Sequence, residues 1–205
     1  MNISKIKQEA LKYLGYYGQN LESSFLSLFD SCLEEIISLQ NFKVTYATYK
    51  LEDCPISLQY PGLETFFAGC SNVVFIGCTL GIELERKLKY YQAIDLTRMC
   101  VMDSIASAYV EVACDAFEEE HFPKERTYRF CPGYGKVPIE LNKEIAKHID
   151  LYKKTGITIT DTNLLIPQKS MIGFIGIGKN QPKKSCIGCM HSEGCSFRKR
   201  GQTCY

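Results

Sequence analysis

A chain of 205 residues, 45% of them hydrophobic, is long enough to bury a core of its own. Its 24 basic and 23 acidic side chains leave a formal charge of +1, which argues against an electrostatic grip on nucleic acid or anionic membrane as the main activity. Residues 1–12 are polar at helical spacing rather than a signal sequence, and the apolar runs at 72–80 and 171–178 are too short to span a bilayer.

In chain order, Ile3, Ile6, Ala10, Leu11 and Leu14 make one helical stripe over residues 3–14. Asn20 offers an N-cap to a second helix that carries Leu21, Phe25, Leu28, Phe29, Cys32, Leu33 and Ile36 to about residue 40. Alternation then predicts a strand over 42–51. After the Pro55 and Pro61-Gly62 breaks, a short helix is expected over 63–68. Residues 72–79 read as a buried strand leading into a helix at 81–91, and Thr79-Leu80-Gly81 at that junction weakly suggests backbone N–H groups open to an anion. The longest helix is expected over 95–120, with Met99, Met102, Ile105, Ala106, Tyr109, Ala113 and Phe117 inward. A helix over 138–154, a brief strand near 157–160 and a strand over 170–178 complete the pattern. Helices and mostly non-alternating strands in this order favour an α+β domain, helices around a mainly antiparallel sheet, over residues 1–180. Residues 181–205 form a separate cysteine-rich tail.

The most informative segment is Arg129-Phe130-Cys131-Pro132-Gly133-Tyr134-Gly135. Pro132 and the two glycines make a turn nearly obligatory. A fixed guanidinium offers a planar fork of donors to a carboxylate or phosphate. Glycine lets a ligand lie against bare backbone, and an adjacent tyrosine can cover it. Alone, Arg129 would read as a surface ion pair and Gly133-Tyr134 as a turn capping the core. Some thirty-five residues on, Ser170-Met171-Ile172-Gly173 opens a glycine-interrupted apolar strand, and the combination shifts the reading to a ligand site.

Together these segments resemble the activation (reactivation) domain of cobalamin-dependent methionine synthase, whose arginine-x-x-x-glycine-tyrosine signature is met by Arg129, Gly133 and Tyr134. The resemblance covers roughly residues 42–178 and is strongest over 73–178. It implies an S-adenosylmethionine site in which Arg129 engages the ligand carboxylate, backbone at Cys131 and Gly133 holds the adenine end, and Tyr134 lies near the reactive methyl and the corrinoid. The implied task is reductive methylation: S-adenosylmethionine is presented to a corrinoid while an outside donor, such as a flavodoxin or ferredoxin, supplies one electron. No catalytic side chain of the chain's own is implied, because cobalt attacks the methyl. The 205 residues hold no corrinoid-, homocysteine- or folate-binding region, so cobalamin is expected on a partner, a methionine synthase or methyltransferase subunit. Where related domains continue into a segment with ligand-binding tyrosines, this chain has Lys179-Asn180-Gln181-Pro182.

The tail carries Cys186-Ile187-Gly188-Cys189, then Cys195 and Cys204. Four thiols spaced by glycines and lysines suit structural zinc or an iron–sulfur cluster, and the residues leave that choice open. A cluster there would be placed to relay an electron. His191 is better read as a loop histidine than as a ligand. Cys32, Cys54, Cys70, Cys78, Cys100 and Cys114 read mostly as small buried hydrophobes. Eleven cysteines without a secretion signal imply a reducing, cytoplasmic setting. The competing function is a zinc or iron–sulfur interaction and electron-relay protein that keeps the fold without binding S-adenosylmethionine. A thiol enzyme using Cys131 ranks last, because no histidine partner is evident.

Overall fold

Helical periodicity in the first forty residues is realised as two helices, α1 (Ile3–Tyr13) and α2 (Ser23–Leu39). The computed structural model describes residues 2–16, 18–179, 184, 193–201 and 203. Asn2 caps α1 by accepting from the Lys5 N–H, and α1 buries Ile6 and Ala10. α2 begins after Glu22, which makes no side-chain cap, and not at the expected Asn20 cap. Packing of its apolar face, with Phe25 set 5.0 Å from the Tyr16 ring, outweighs the capping preference of one residue.

By contacts the chain divides into two units. The first comprises Met1–Thr45, Gly77–Phe122 and Leu151–Met171. Its centre is α5 (Leu96–His121), preceded by α4 (Ile82–Ile94), and α1, α2 and α4 all pack against α5. Asp95 separates α4 from α5 and caps the latter by accepting from the Arg98 N–H. Having neighbours on several sides, α5 buries Val101, Val110, Val112 and Cys114 as well as most of its predicted inner face, while Met99 and Phe117 are half-buried. Small side chains such as Ala106 and Ala108 let the neighbouring helices approach. A second short pairing joins β3 (Thr158–Ile159) to β4 (Leu165–Ile166), antiparallel with Thr158 opposite Ile166.

The second unit comprises Tyr46–Ile76, Pro123–Asp150 and Ile172–Tyr205. It holds the larger parts of β1 (Lys43–Lys50), β2 (Cys70–Thr79) and β5 (Ser170–Gly178), which form one sheet in the order β1–β2–β5. From Val73 onward β2 is buried without alternation, as expected of a strand covered on both faces. Among the described residues this unit holds the α-helices α3 (Leu63–Phe67), α6 (Leu141–His148) and α8 (Ser196–Lys199). The helix expected over 138–154 is broken. α6 stops at His148, Asp150 takes a left-handed φ of 51°, and α7 (Leu151–Thr155) follows. An aspartate tolerates that conformation without glycine, so no residue type announces the break. The result is an α+β fold with an antiparallel sheet. Among the described residues no helix is long and apolar enough to cross a membrane.

Candidate functional site

The signature turn grows out of a segment that runs antiparallel beside β5. Arg126 pairs with Ile177 and Phe130 with Phe174 as isolated bridges. Phe130 and Phe174 exchange both backbone N–H···O bonds at 2.9 Å, and the Thr127 N–H donates to the Gly176 carbonyl at 2.9 Å. Below this seam lies an aromatic cluster. The Phe130 ring stacks on Phe174 at 5.4 Å and 13°, and Phe66 meets Tyr128, Phe130 and Phe174 edge-on. Burial pushes the Tyr128 hydroxyl above its ordinary pKa, and Lys184 lies 5.7 Å over its ring.

Arg129 stands between these pinned residues. Its aliphatic stem crosses Gly173: a Cβ placed there would lie 2.8 Å from Arg129 Cγ and 2.8 Å from the Phe130 carbonyl oxygen. Beyond Phe130 the chain turns. The Gly133 N–H donates to the Val137 carbonyl (2.9 Å), and the Tyr134 N–H to the Cys131 carbonyl (3.4 Å). Pro132 is buried, Gly133 takes φ 92° and Gly135 φ 59°, conformations that favour glycine. Tyr134 is 66% exposed. Arg129, Cys131, Gly133 and Tyr134 are thus gathered in one loop, and Gly173 of the downstream strand underlies the first of them.

Two residues absent from the sequence reading, Ile139 and Asn142, follow the turn in the chain. Ile139 packs 3.6 Å from the Cβ position of Gly133, and its carbonyl accepts from the Asn142 N–H. Asn142 is 6% exposed, and its side-chain Oδ1 is buried with no hydrogen-bond partner among the described residues. A buried acceptor of that kind normally finds a partner from protein, water or ligand. An asparagine inside a helical pattern carries no sequence signal of this.

The predicted tail ligands fare differently. Cys195 is half-buried at the start of α8, while Cys186, Cys189 and Cys204 lie outside the described residues. Among the described residues no three His, Cys, Asp or Glu side chains gather as a metal site. Of the cysteines expected in the core, Cys32, Cys78 and Cys114 are buried, Cys54 and Cys70 half-buried, and Cys100 is exposed on α5. Burial pushes the Cys32 thiol up to about 11, so it stays protonated and inert at neutral pH.

The first unit holds a cleft of about 280 Å³ lined by Asn41, Lys43, Gly81 and Thr155 among others, and it contains none of the predicted site residues. The anion site considered at Thr79-Leu80-Gly81 loses two of its donors. The Leu80 N–H donates to the Lys169 carbonyl at 3.0 Å, and the Gly81 N–H to Thr79 Oγ1 at 3.0 Å. Elsewhere in this unit Glu35 accepts from Arg98 (2.9 Å), Lys87 (3.0 Å) and the Tyr91 hydroxyl (3.1 Å). Burial pushes the Glu35 carboxyl upward, but hydrogen bonds from Arg98, Lys87 and Tyr91 outweigh it and hold the pKa below the ordinary value.

Over 100% of its length the chain is similar to the crystal structure of the MetH reactivation domain bound to AdoHcy, with a TM-score of 0.60 and 13% identity, spanning 85% of that chain. The likeness establishes the fold. No family model and no curated protein matches the sequence.

Proposed function

We propose that this protein binds S-adenosylmethionine at the 129–135 turn and serves as a reactivation module for a corrinoid carried by a partner methyltransferase. The observation that carries the proposal is the placement of Arg129 across Gly173, at the mouth of a glycine turn, in a fold similar to a domain bound to AdoHcy. The site suits such a ligand. Gly133 and Gly135 leave bare backbone beside an exposed tyrosine ring.

In this reading Arg129 donates to the ligand carboxylate. Backbone at Cys131 and Gly133 holds the adenine end, and the Tyr134 ring covers the ligand where a sulfonium is favoured by an aromatic face. The methyl and the cobalt nucleophile belong to ligand and partner corrinoid, so the chain's contribution is binding and orientation. The partner would be a corrinoid-binding subunit of methionine synthase type, with a flavodoxin- or ferredoxin-like electron donor.

The test is calorimetric titration of the wild type and Arg129→Ala with S-adenosylmethionine. Binding that the variant loses supports the site, and affinity equal in both variants refutes the role of Arg129. A second reading rests on the four tail cysteines, whose thiolates suit zinc or an iron–sulfur cluster. It makes the tail an electron-relay or interaction element, and it predicts a stoichiometric metal in protein that does not bind S-adenosylmethionine.

A further inference from the structure

We infer that Gly173 is a positioning residue that sets the course of the Arg129 guanidinium and thereby the affinity for the carboxylate end of the ligand; the inference rests on the S-adenosylmethionine reading above. Gly173 does not adopt a left-handed φ, so backbone conformation alone would accept any residue there. Space is what excludes a side chain. A Cβ would lie 2.8 Å from Arg129 Cγ, 3.2 Å from Arg129 Cδ and 2.8 Å from the Phe130 carbonyl oxygen, all well inside the carbon contact optimum of about 3.5–4.0 Å.

The neighbours are not equally free to yield. The Phe130 carbonyl is held by the Phe174 N–H at 2.9 Å, the Phe130 N–H donates to the Phe174 carbonyl at 2.9 Å, and the two rings stack on each other. Arg129 presents a flexible stem. An added methyl group would therefore deflect the arginine stem and carry its guanidinium away from the line it now follows, while its equally short approach to the Phe130 carbonyl, 2.8 Å, has to be absorbed by the paired backbone. Because a guanidinium fork binds a carboxylate through directed bonds, a change of course costs affinity even when the charge remains nearby.

Gly176, three residues along the same strand, supplies the contrast. Its absent Cβ would meet Cys70 Sγ at 2.7 Å, Phe67 Cδ1 at 3.0 Å and Thr127 Cγ2 at 3.1 Å. An odd spacing puts it on the other face of the strand from Gly173. Gly176 thus serves packing, whereas Gly173 serves the path of the binding arginine.

The experiment titrates S-adenosylmethionine and its decarboxylated analogue into wild type, Gly173→Ala, Gly176→Ala, Arg129→Ala and the Arg129→Ala/Gly173→Ala double variant. Gly173→Ala should weaken S-adenosylmethionine by about tenfold or more, as expected when a charge-assisted bond is spoiled, and should leave the decarboxylated analogue unchanged. In the Arg129→Ala background it should cost nothing further, the signature of two residues acting through one contact. Gly176→Ala should lower thermal stability without separating the two ligands. Equal losses for both ligands, or the same cost with and without Arg129, would overturn the inference. If Gly173→Ala does not fold, folding of the double variant supports the Arg129 clash, and failure of both assigns the clash to the Phe130 carbonyl and refutes the role. If the wild type binds neither ligand, the functional reading falls by itself. The Arg129 Nε resonance in ¹⁵N-labelled protein then decides, because it must shift in Gly173→Ala and stay in place in Gly176→Ala.

Discussion

Replacing Phe174 with alanine probes the layer that supports the proposed site. Phe174 is 0% exposed. Its ring lies 5.4 Å from Phe130, 5.6 Å from Phe67 and 6.1 Å from Phe66, so truncation opens a hole surrounded by rings that cannot simply close over it. A buried phenylalanine truncated in this way costs about 3–5 kcal/mol, aromatic contacts included. The backbone bonds to Phe130 survive the substitution, which puts the expected loss near the middle of that range, about 4 kcal/mol. A denaturant slope of about 2 kcal/mol per M urea would convert this into a midpoint lowered by roughly 2 M. The chain has no tryptophan, so far-UV circular dichroism is the suitable probe. A shift under about 0.5 M would mean the site closes with little loss and that Phe174 is not the support described, since collapse of the cavity is what lowers such costs.

Arg129→Ala should weaken S-adenosylmethionine by about 1.5–3 kcal/mol, roughly ten- to more than a hundredfold in Kd. Its melting temperature should move little, because the bridge beside it is made by Phe130 and Phe174. Serine at both Cys186 and Cys189 should abolish stoichiometric metal, read by elemental analysis of anaerobically purified protein; full occupancy would exclude the tail site. Glu35, held below its ordinary value of 4.5, contributes stability that is present above the unfolded pKa and lost as pH falls through the lower, folded one. Glu35→Gln should therefore be less stable than wild type at pH 7, and the difference should shrink below about pH 4; a constant gap in thermal midpoints across that range would contradict the network around Glu35.

What the sequence determined by itself is what short-range chemistry controls. Helix existence followed from period 3.6 in α1, α2 and α5, α4 from its place directly after a buried strand, β2 from its apolar run, and β5 from an apolar run interrupted only by glycines. The turn at 129–135 was legible because Pro132, Gly133 and Gly135 leave the backbone few alternatives. The start of the long helix was legible too: it was expected at Asp95, whose side chain caps α5 by accepting from the Arg98 N–H three residues on, a local bond.

Tertiary structure decided the rest. Nothing local marks Asp150 as the point where a long helical pattern breaks, because an aspartate can adopt either conformation and context chooses. The burial of α5 on several sides depends on which helices surround it, and its own period cannot report that. The site shows the division most clearly. The sequence supplied Arg129 and a glycine-bearing strand forty-odd residues apart, but the missing Cβ of Gly173 gains meaning only when the strand is paired against Phe130 and the arginine stem fills the space. The buried acceptor of Asn142 was likewise invisible, since an unpaired oxygen is a property of everything packed around it.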